Sequence, residues 1–141
     1  MIHRYVLAAI LFLFCSLLVL AEPAGVVKKG QNAKIKIKQD ISGHLSELNG
    51  RYKLRATEVT FDPGGYIGPH HHVGPGIRCV TAGQLTYVES GKTNVYGPGD
   101  CFFESGAISH TATNKTDKPV VLLNFEVLPA DFSGPTAIPV P

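Results

Sequence analysis

"GPHHHVGPGIRCV", residues 68–80, decides how this chain is read. Three histidines in a row run into Gly74, Pro75 and Gly76, and the residues beyond them alternate as a β-strand does. Along a strand, residues two apart point to the same side. His70 and His72 therefore share a face, and His71 points away from it. Two imidazoles at that spacing can hold one metal ion, a common role of histidine. A metal site needs three or four converging donors, so more must arrive from elsewhere. Beyond residue 21 the histidines are His44, His70, His71, His72 and His110. His44 sits in a polar loop, "DISGHLSELNG", and reads as solvent-exposed. His110, in "SGAISHTATN", opens a patterned strand and is the distant donor.

The flanking sequence has the same texture. "YKLRATEVTF" reads as a strand closed by Asp62-Pro63-Gly64-Gly65, and "GIRCVTAG" as a strand ending in a turn. "QLTYVESGKTNVYGPGD" holds two short strands, with turns at Glu89-Ser90-Gly91-Lys92 and at Gly97-Pro98-Gly99-Asp100. "CFFESGAISHTATNKTD" gives a strand, a turn and a strand, and "PVVLLNFEVL" is the last clear strand. "AKIKIKQD" puts Ile35 and Ile37 on one face and Lys34, Lys36 and Lys38 on the other. That suits a sheet edge with a solvated lysine row better than a partner-binding patch. No helical pattern of useful length occurs beyond residue 21, and no internal repeat is present. Short strands with turn signals about every 8–12 residues argue for an all-β sandwich or barrel.

Taken together, these residues carry a resemblance. "GGYIGPHHHVGPGIRCVTAG" (64–83) and then "GDCFFESGAISHTATN" (99–114) resemble the two motifs of the cupin superfamily. Gly64, His70, His72 and Gly83 match the first motif by spacing, and Gly99, His110 and Asn114 match the second. The segment between them, 84–98, is short, as in small single-domain cupins. The resemblance covers roughly residues 52–126. It implies an antiparallel jelly-roll β-barrel with an interior that can enclose a ligand. The barrel is expected over 51–128, after an N-terminal edge strand and loop over 22–50, with an extended C-terminal tail over 129–141.

The resemblance also implies a divalent first-row transition metal (Fe, Mn, Zn, Ni or Cu) on His70, His72 and His110. The family's glutamate ligand falls on Gly76, seven before Gly83, and Ser105 and Ala107 stand where the second motif has proline and glycine. Some cupin-like dioxygenases hold iron by three histidines alone. The other reading is a replacement carboxylate, and Glu104, six residues before His110, is the candidate. Gly76 either leaves room for substrate beside the metal or belongs to a bulge in "VGPG". Arg78 shares the inward face of Gly76. It either holds a substrate carboxylate or pairs with a buried acid such as Glu104 or Glu58. Phe102 and Phe103 read as core and outer-face packing. The resemblance places Cys79 and Cys101 on adjacent antiparallel strands, where they are expected to form a disulfide. It also admits a homodimer.

The N-terminus reads differently. Arg4 precedes a run from Tyr5 to Leu20 in which only Ser16 is polar, ending at Val19-Leu20-Ala21. This is the pattern of a secretory signal peptide over residues 1–21, cut before Glu22, and it implies the periplasm or the extracellular space. The alternative is a membrane anchor over residues 5–21, a little short of the ~20 apolar residues a spanning helix needs. Without Arg4 the chain has 12 Lys+Arg of the original 13 against 11 Asp+Glu, which excludes an electrostatic case for nucleic acid. Three functions remain open: a metal-dependent oxygenase or isomerase acting on a small anionic molecule, a non-catalytic module binding a small molecule or a metal, and a structural exported protein with a vestigial site.

Overall fold

The computed structural model describes residues 25–140, so the expected leader over 1–21 lies outside the described residues. The elements are β1 (Lys28–Asp40), β2 (Tyr52–His72), β3 (Gly76–Ala82), β4 (Leu85–Glu89), β5 (Lys92–Tyr96), β6 (Cys101–Glu104), β7 (His110–Thr113), β8 (Val120–Pro129) and β9 (Ala137–Pro139). They form one antiparallel sheet in the order β5-β4-β7-β2-β8-β3-β6, with β1 and β9 also paired to β2. The sheet curls into a nearly closed β-barrel, the expected all-β jelly-roll architecture. Its inner residues make the core, among them Val59, Phe61, Ile67, Val80, Leu85, Tyr87, Val120 and Leu122.

Strand β2 organises the barrel. Residues 52–61 pair with β8, 66–70 with β7 and 70–72 with β9. Asp62-Pro63-Gly64-Gly65, expected to end a strand, instead bends a continuous one from one wall of the barrel to the other. A Cβ on Gly65 would lie 2.7 Å from the carbonyl oxygen of Gly30 and 2.8 Å from that of Asp62, so only glycine lets the chain fold this tightly against β1. Asn114, the asparagine of the second motif, holds the bend. It is fully buried, and its Nδ2 donates to the carbonyls of Phe61, Asp62 and Lys118 at 3.1, 3.0 and 2.7 Å. Asn114→Ala removes the donor to the buried Phe61 carbonyl and unties the bend, and is expected to lower stability by about 2–4 kcal/mol, read by urea unfolding.

Two sequence readings change. Register shifts between Ile35 and Ile37, so Lys36 is an extra residue in β1. Ile35 then pairs with Thr57 and faces the barrel interior, whereas Ile37 pairs with Ala56 on the outside. The two isoleucines do not share a face, because a bulge breaks the period of two. Outside, Ile37, Ala56, Phe125, Ile77 and Phe103 form one cross-strand row, with Ile37 60 % and Phe103 65 % exposed. The tail is not only draped over the surface, because Ala137, Ile138 and Pro139 pair with His72, His71 and His70.

Candidate metal centre

His70 and His72 come from the end of β2, and His110 from the start of β7, where it is the register partner of His70. Strand parity turns His70 and His72 to the interior, and cross-strand pairing delivers His110 to the same point. One ring nitrogen from each lies within 4.8 Å of the others. The ring centres are 4.3 Å apart for His70 and His110 and 4.9 Å apart for His70 and His72.

The far side of each ring is engaged. His70 Nδ1–H donates to the Gly68 carbonyl at 2.8 Å, and His110 Nδ1–H to the Ile108 carbonyl at 3.1 Å. His72 Nδ1 lies 3.4 Å from Thr136 Oγ1 on the tail. A carbonyl only accepts, so His70 and His110 carry their proton on Nδ1 and turn the Nε2 lone pair inward. Burial is the main reason that His70 is pushed down to about 4 and His72 to about 2, and it lowers His110 too. The three rings are therefore neutral near pH 7, the form that ligates a metal.

Glu104 sits on the inward side of this cluster. Its Oε2 lies 3.2 Å from His72 Nε2, and its Oε1 3.3 Å from His110 Nε2. Glu104 is the cross-strand partner of Gly76. A carboxylate thus stands on the neighbouring strand, directly opposite Gly76. Burial pushes the Glu104 carboxyl up to about 7, although Arg78 pulls the other way.

Arg78 is 1 % exposed, and its Nη2 lies 2.7 Å from Glu104 Oε2 and 3.4 Å from Glu126 Oε1. Of the roles open to it, the ion pair is present, and Glu104 is one of its acids. Glu58 is not, since it lies outside the barrel and pairs with Lys36 at 3.3 Å. A Cβ on Gly76 would lie 2.2 Å from Arg78 Nη1. The guanidinium occupies the space that glycine leaves, so that space is no open position for substrate.

His71 turns aside and meets the Gly106 carbonyl through Nδ1 at 3.3 Å, and His44 is exposed. Phe102 stacks on Tyr96 inside, with centroids 4.2 Å apart, whereas Phe103 is on the outer face. Cys79 and Cys101 are register partners on β3 and β6 and are joined, with Cα atoms 4.1 Å apart.

Sequence reasoning does not find Glu126, Arg55 and Thr136. Arg55 Nη2 donates to Glu126 Oε2 at 2.8 Å, and Thr136 Oγ1 to Glu126 Oε1 at 2.7 Å. A signal exists for Glu126. In "VVLLNFEVL" the inward parity runs Val120, Leu122, Asn124, Glu126, Leu128, so two polar residues fall where apolar ones are expected. The three histidines, Glu104, Arg78, Glu126 and Asn124 all line one cavity of ≈ 300 Å³.

This geometry is that of a cupin, and residues 57–126 match the family described as Cupin domain; that segment is a cupin domain. Among solved structures, the polyketide cyclase RemF from Streptomyces resistomycificus has 19 % identity, a TM-score of 0.59, and 81 % of this chain and 75 % of its own covered. A cupin-like protein from Thermotoga maritima has 24 % identity and a TM-score of 0.56, with 70 % of each chain covered. The Cupin_2 domain of an XRE family transcriptional regulator from Enterobacter cloacae has 14 % identity and a TM-score of 0.52, with 71 % and 97 % covered. At these identities the likeness is one of fold, and it spans an enzyme and a regulator alike. No curated protein matches the chain.

Proposed function

We propose that this chain is an exported small cupin in which His70, His72, His110 and Glu104 hold one divalent first-row transition metal beside a cavity for a small molecule. One observation carries the reading. The Nε2 lone pair of His110, its ring proton committed to the Ile108 carbonyl, faces Oε1 of ionised Glu104 at 3.3 Å, and His72 Nε2 lies 3.2 Å from Oε2. Lone pairs against lone pairs repel unless a cation lies among them, so the donor set fits a metal. Imidazole suits Fe, Ni, Cu and Zn, and the carboxylate extends the range to Mn. A metal bound there would supply Lewis-acid polarisation of an oxygen on a molecule in the cavity. The four side chains hold it, Arg78 fixes Glu104, and the barrel wall limits water. The test is metal analysis of the purified chain. About one ion per chain is expected, and a folded chain that takes up no metal refutes the reading. Oxygen uptake and isomerisation assays on the loaded protein then separate the enzyme from a binding module.

The pH response tests Glu104. As pH falls through about 7, Glu104 takes up a proton and stops competing for the ion. His70 stays neutral down to about 4 and His72 to about 2, so both still ligate at pH 5, where exposed histidines are mostly protonated. Affinity is therefore expected to fall first near neutrality and again at lower pH, as the histidines protonate. Glu104→Gln is expected to lose the first step and to bind about 10–100-fold more weakly at pH 8, read with a chromogenic chelator.

Export rests on the run from Tyr5 to Ala21 and on the paired Cys79 and Cys101, which suits an oxidising compartment. Mass spectrometry of the protein from its native host is expected to find Glu22 at the N-terminus; Met1 in a membrane fraction would instead establish the anchor. A homodimer would cover the outer apolar row, and light scattering reads it.

A further inference from the structure

Three buried side-chain oxygens have no hydrogen-bond partner among the described residues: Thr57 Oγ1, Glu104 Oε2 and Asn124 Oδ1. All three residues line the same cavity. Glu104 has its ion contacts with Arg78 and the histidine cluster. Thr57 and Asn124 have none, and the metal centre does not use them. They face each other as register partners on β2 and β8, on the inner side of the barrel. Thr57 is 92 % buried, given its 8 % exposure. Directly opposed residues of an antiparallel pair have Cβ atoms about 4.5–5.5 Å apart, so one small polar group can reach both.

The two orphans ask for a particular chemistry. Asn124 Oδ1 only accepts, and Thr57 Oγ1 both donates and accepts. A single hydroxyl satisfies the pair, donating to Asn124 and accepting from Thr57. A carboxylate oxygen cannot, because it has no proton for Asn124. The nearby cations do not reverse this preference. Arg55 is neutralised by Glu126 at 2.8 Å and Arg78 by Glu104 at 2.7 Å, and Lys28 is exposed at the rim. Val59, Leu122 and Phe102 line the rest of that wall and suit the C–H faces of such a molecule.

We propose that Thr57 and Asn124 form a hydroxyl-recognising subsite, and that the molecule in this cavity is an uncharged polyol-type compound with one hydroxyl on this pair and another oxygen toward the histidines. The second half rests on the metal reading above; the subsite itself does not. It sets aside the anionic ligand expected from the sequence, since the fixed charges beside the pair already cancel.

The test is calorimetric titration of the full chain, zinc-loaded and metal-free, with xylitol and with xylonate as its carboxylate counterpart. Xylitol is expected to bind about tenfold or more tightly than xylonate, and Thr57→Val and Asn124→Leu to lose about tenfold or more in xylitol affinity. Both variants are expected to keep zinc stoichiometry, and to melt no lower than the parent because they remove an unpaired buried group. Failure of xylitol to bind, preference for xylonate, or unchanged affinity in both variants overturns the subsite. So does a lower melting temperature in Thr57→Val with unchanged xylitol binding, which would mean that a structural water holds the hydroxyl. If zinc does not bind but xylitol does, and still needs Thr57 and Asn124, the metal reading fails and the subsite stands. If zinc binds and xylitol does not, the subsite alone fails.

Discussion

Replacing His70, His72 or His110 by alanine is expected to take the protein from about one metal ion per chain to none that survives dialysis, whereas His71→Ala keeps it. The three rings converge within 4.8 Å, so removing any one cuts four donors to three, and the remaining carboxylate is shared with Arg78 at 2.7 Å, a hold weak enough for dialysis to strip the ion. His71 is adjacent in sequence to both His70 and His72, yet its ring turns to the Gly106 carbonyl. The four variants make the same truncation, and within the histidine run strand parity alone separates them. Atomic absorption on each dialysed variant, with circular dichroism to show that it is folded, reads the result. Equal loss in His71→Ala would sink the parity argument and leave a surface histidine run.

The second large effect is expected at Gly76. Gly76→Ala places a methyl 2.2 Å from Arg78 Nη1 and 2.5 Å from the Phe125 carbonyl oxygen. The side chain could swing away, but the carbonyl belongs to β8, which pairs with β3 at this level. Either the strands part or the guanidinium leaves Glu104 and Glu126, uncovering two carboxylates that are 5 % and 2 % exposed. Breaking a buried pair of this kind costs about 3–5 kcal/mol, a large share of a small domain's stability. Gly97→Ala is the control, because its Cβ would meet nothing nearer than 3.9 Å, and a change within about 0.5 kcal/mol is expected. Urea unfolding of both variants gives the comparison; equal stability would show that Arg78 does not depend on the gap.

Gly76 on β3 faces Glu104 on β6, and the Glu104 carboxylate reaches the histidines from β6. Arg78 fills the space behind it and bridges to Glu126, which the tail then holds through Thr136. Tail, ion network and histidines are in contact, so changes at Thr136 should be felt at His72.

Much of this was legible in the sequence. Alternation is a local property of the strand backbone, so the shared face of His70 and His72 and the strands around them could be read from neighbouring residues, whereas the direction of Glu104 across its turn could not. His110 was the distant histidine in a patterned strand, and the cupin resemblance implied the pairing of Cys79 with Cys101, because it implies which strands are adjacent. What the sequence could not decide was register across long loops. The bulge at Lys36 reverses the facing of Ile37, and nothing in "AKIKIKQD" marks it, since the extra residue is set by packing against β2. The bend at Gly65 keeps β2 continuous only because β1 closes on it and Asn114, far along the chain, ties it. The meeting of Glu126, Arg55, Arg78 and Thr136, and the pairing of Thr57 with Asn124, join residues from separate strands and the tail. Each carries its parity locally, but which charge faces which is fixed only when the barrel closes and burial forces every ion to find a partner.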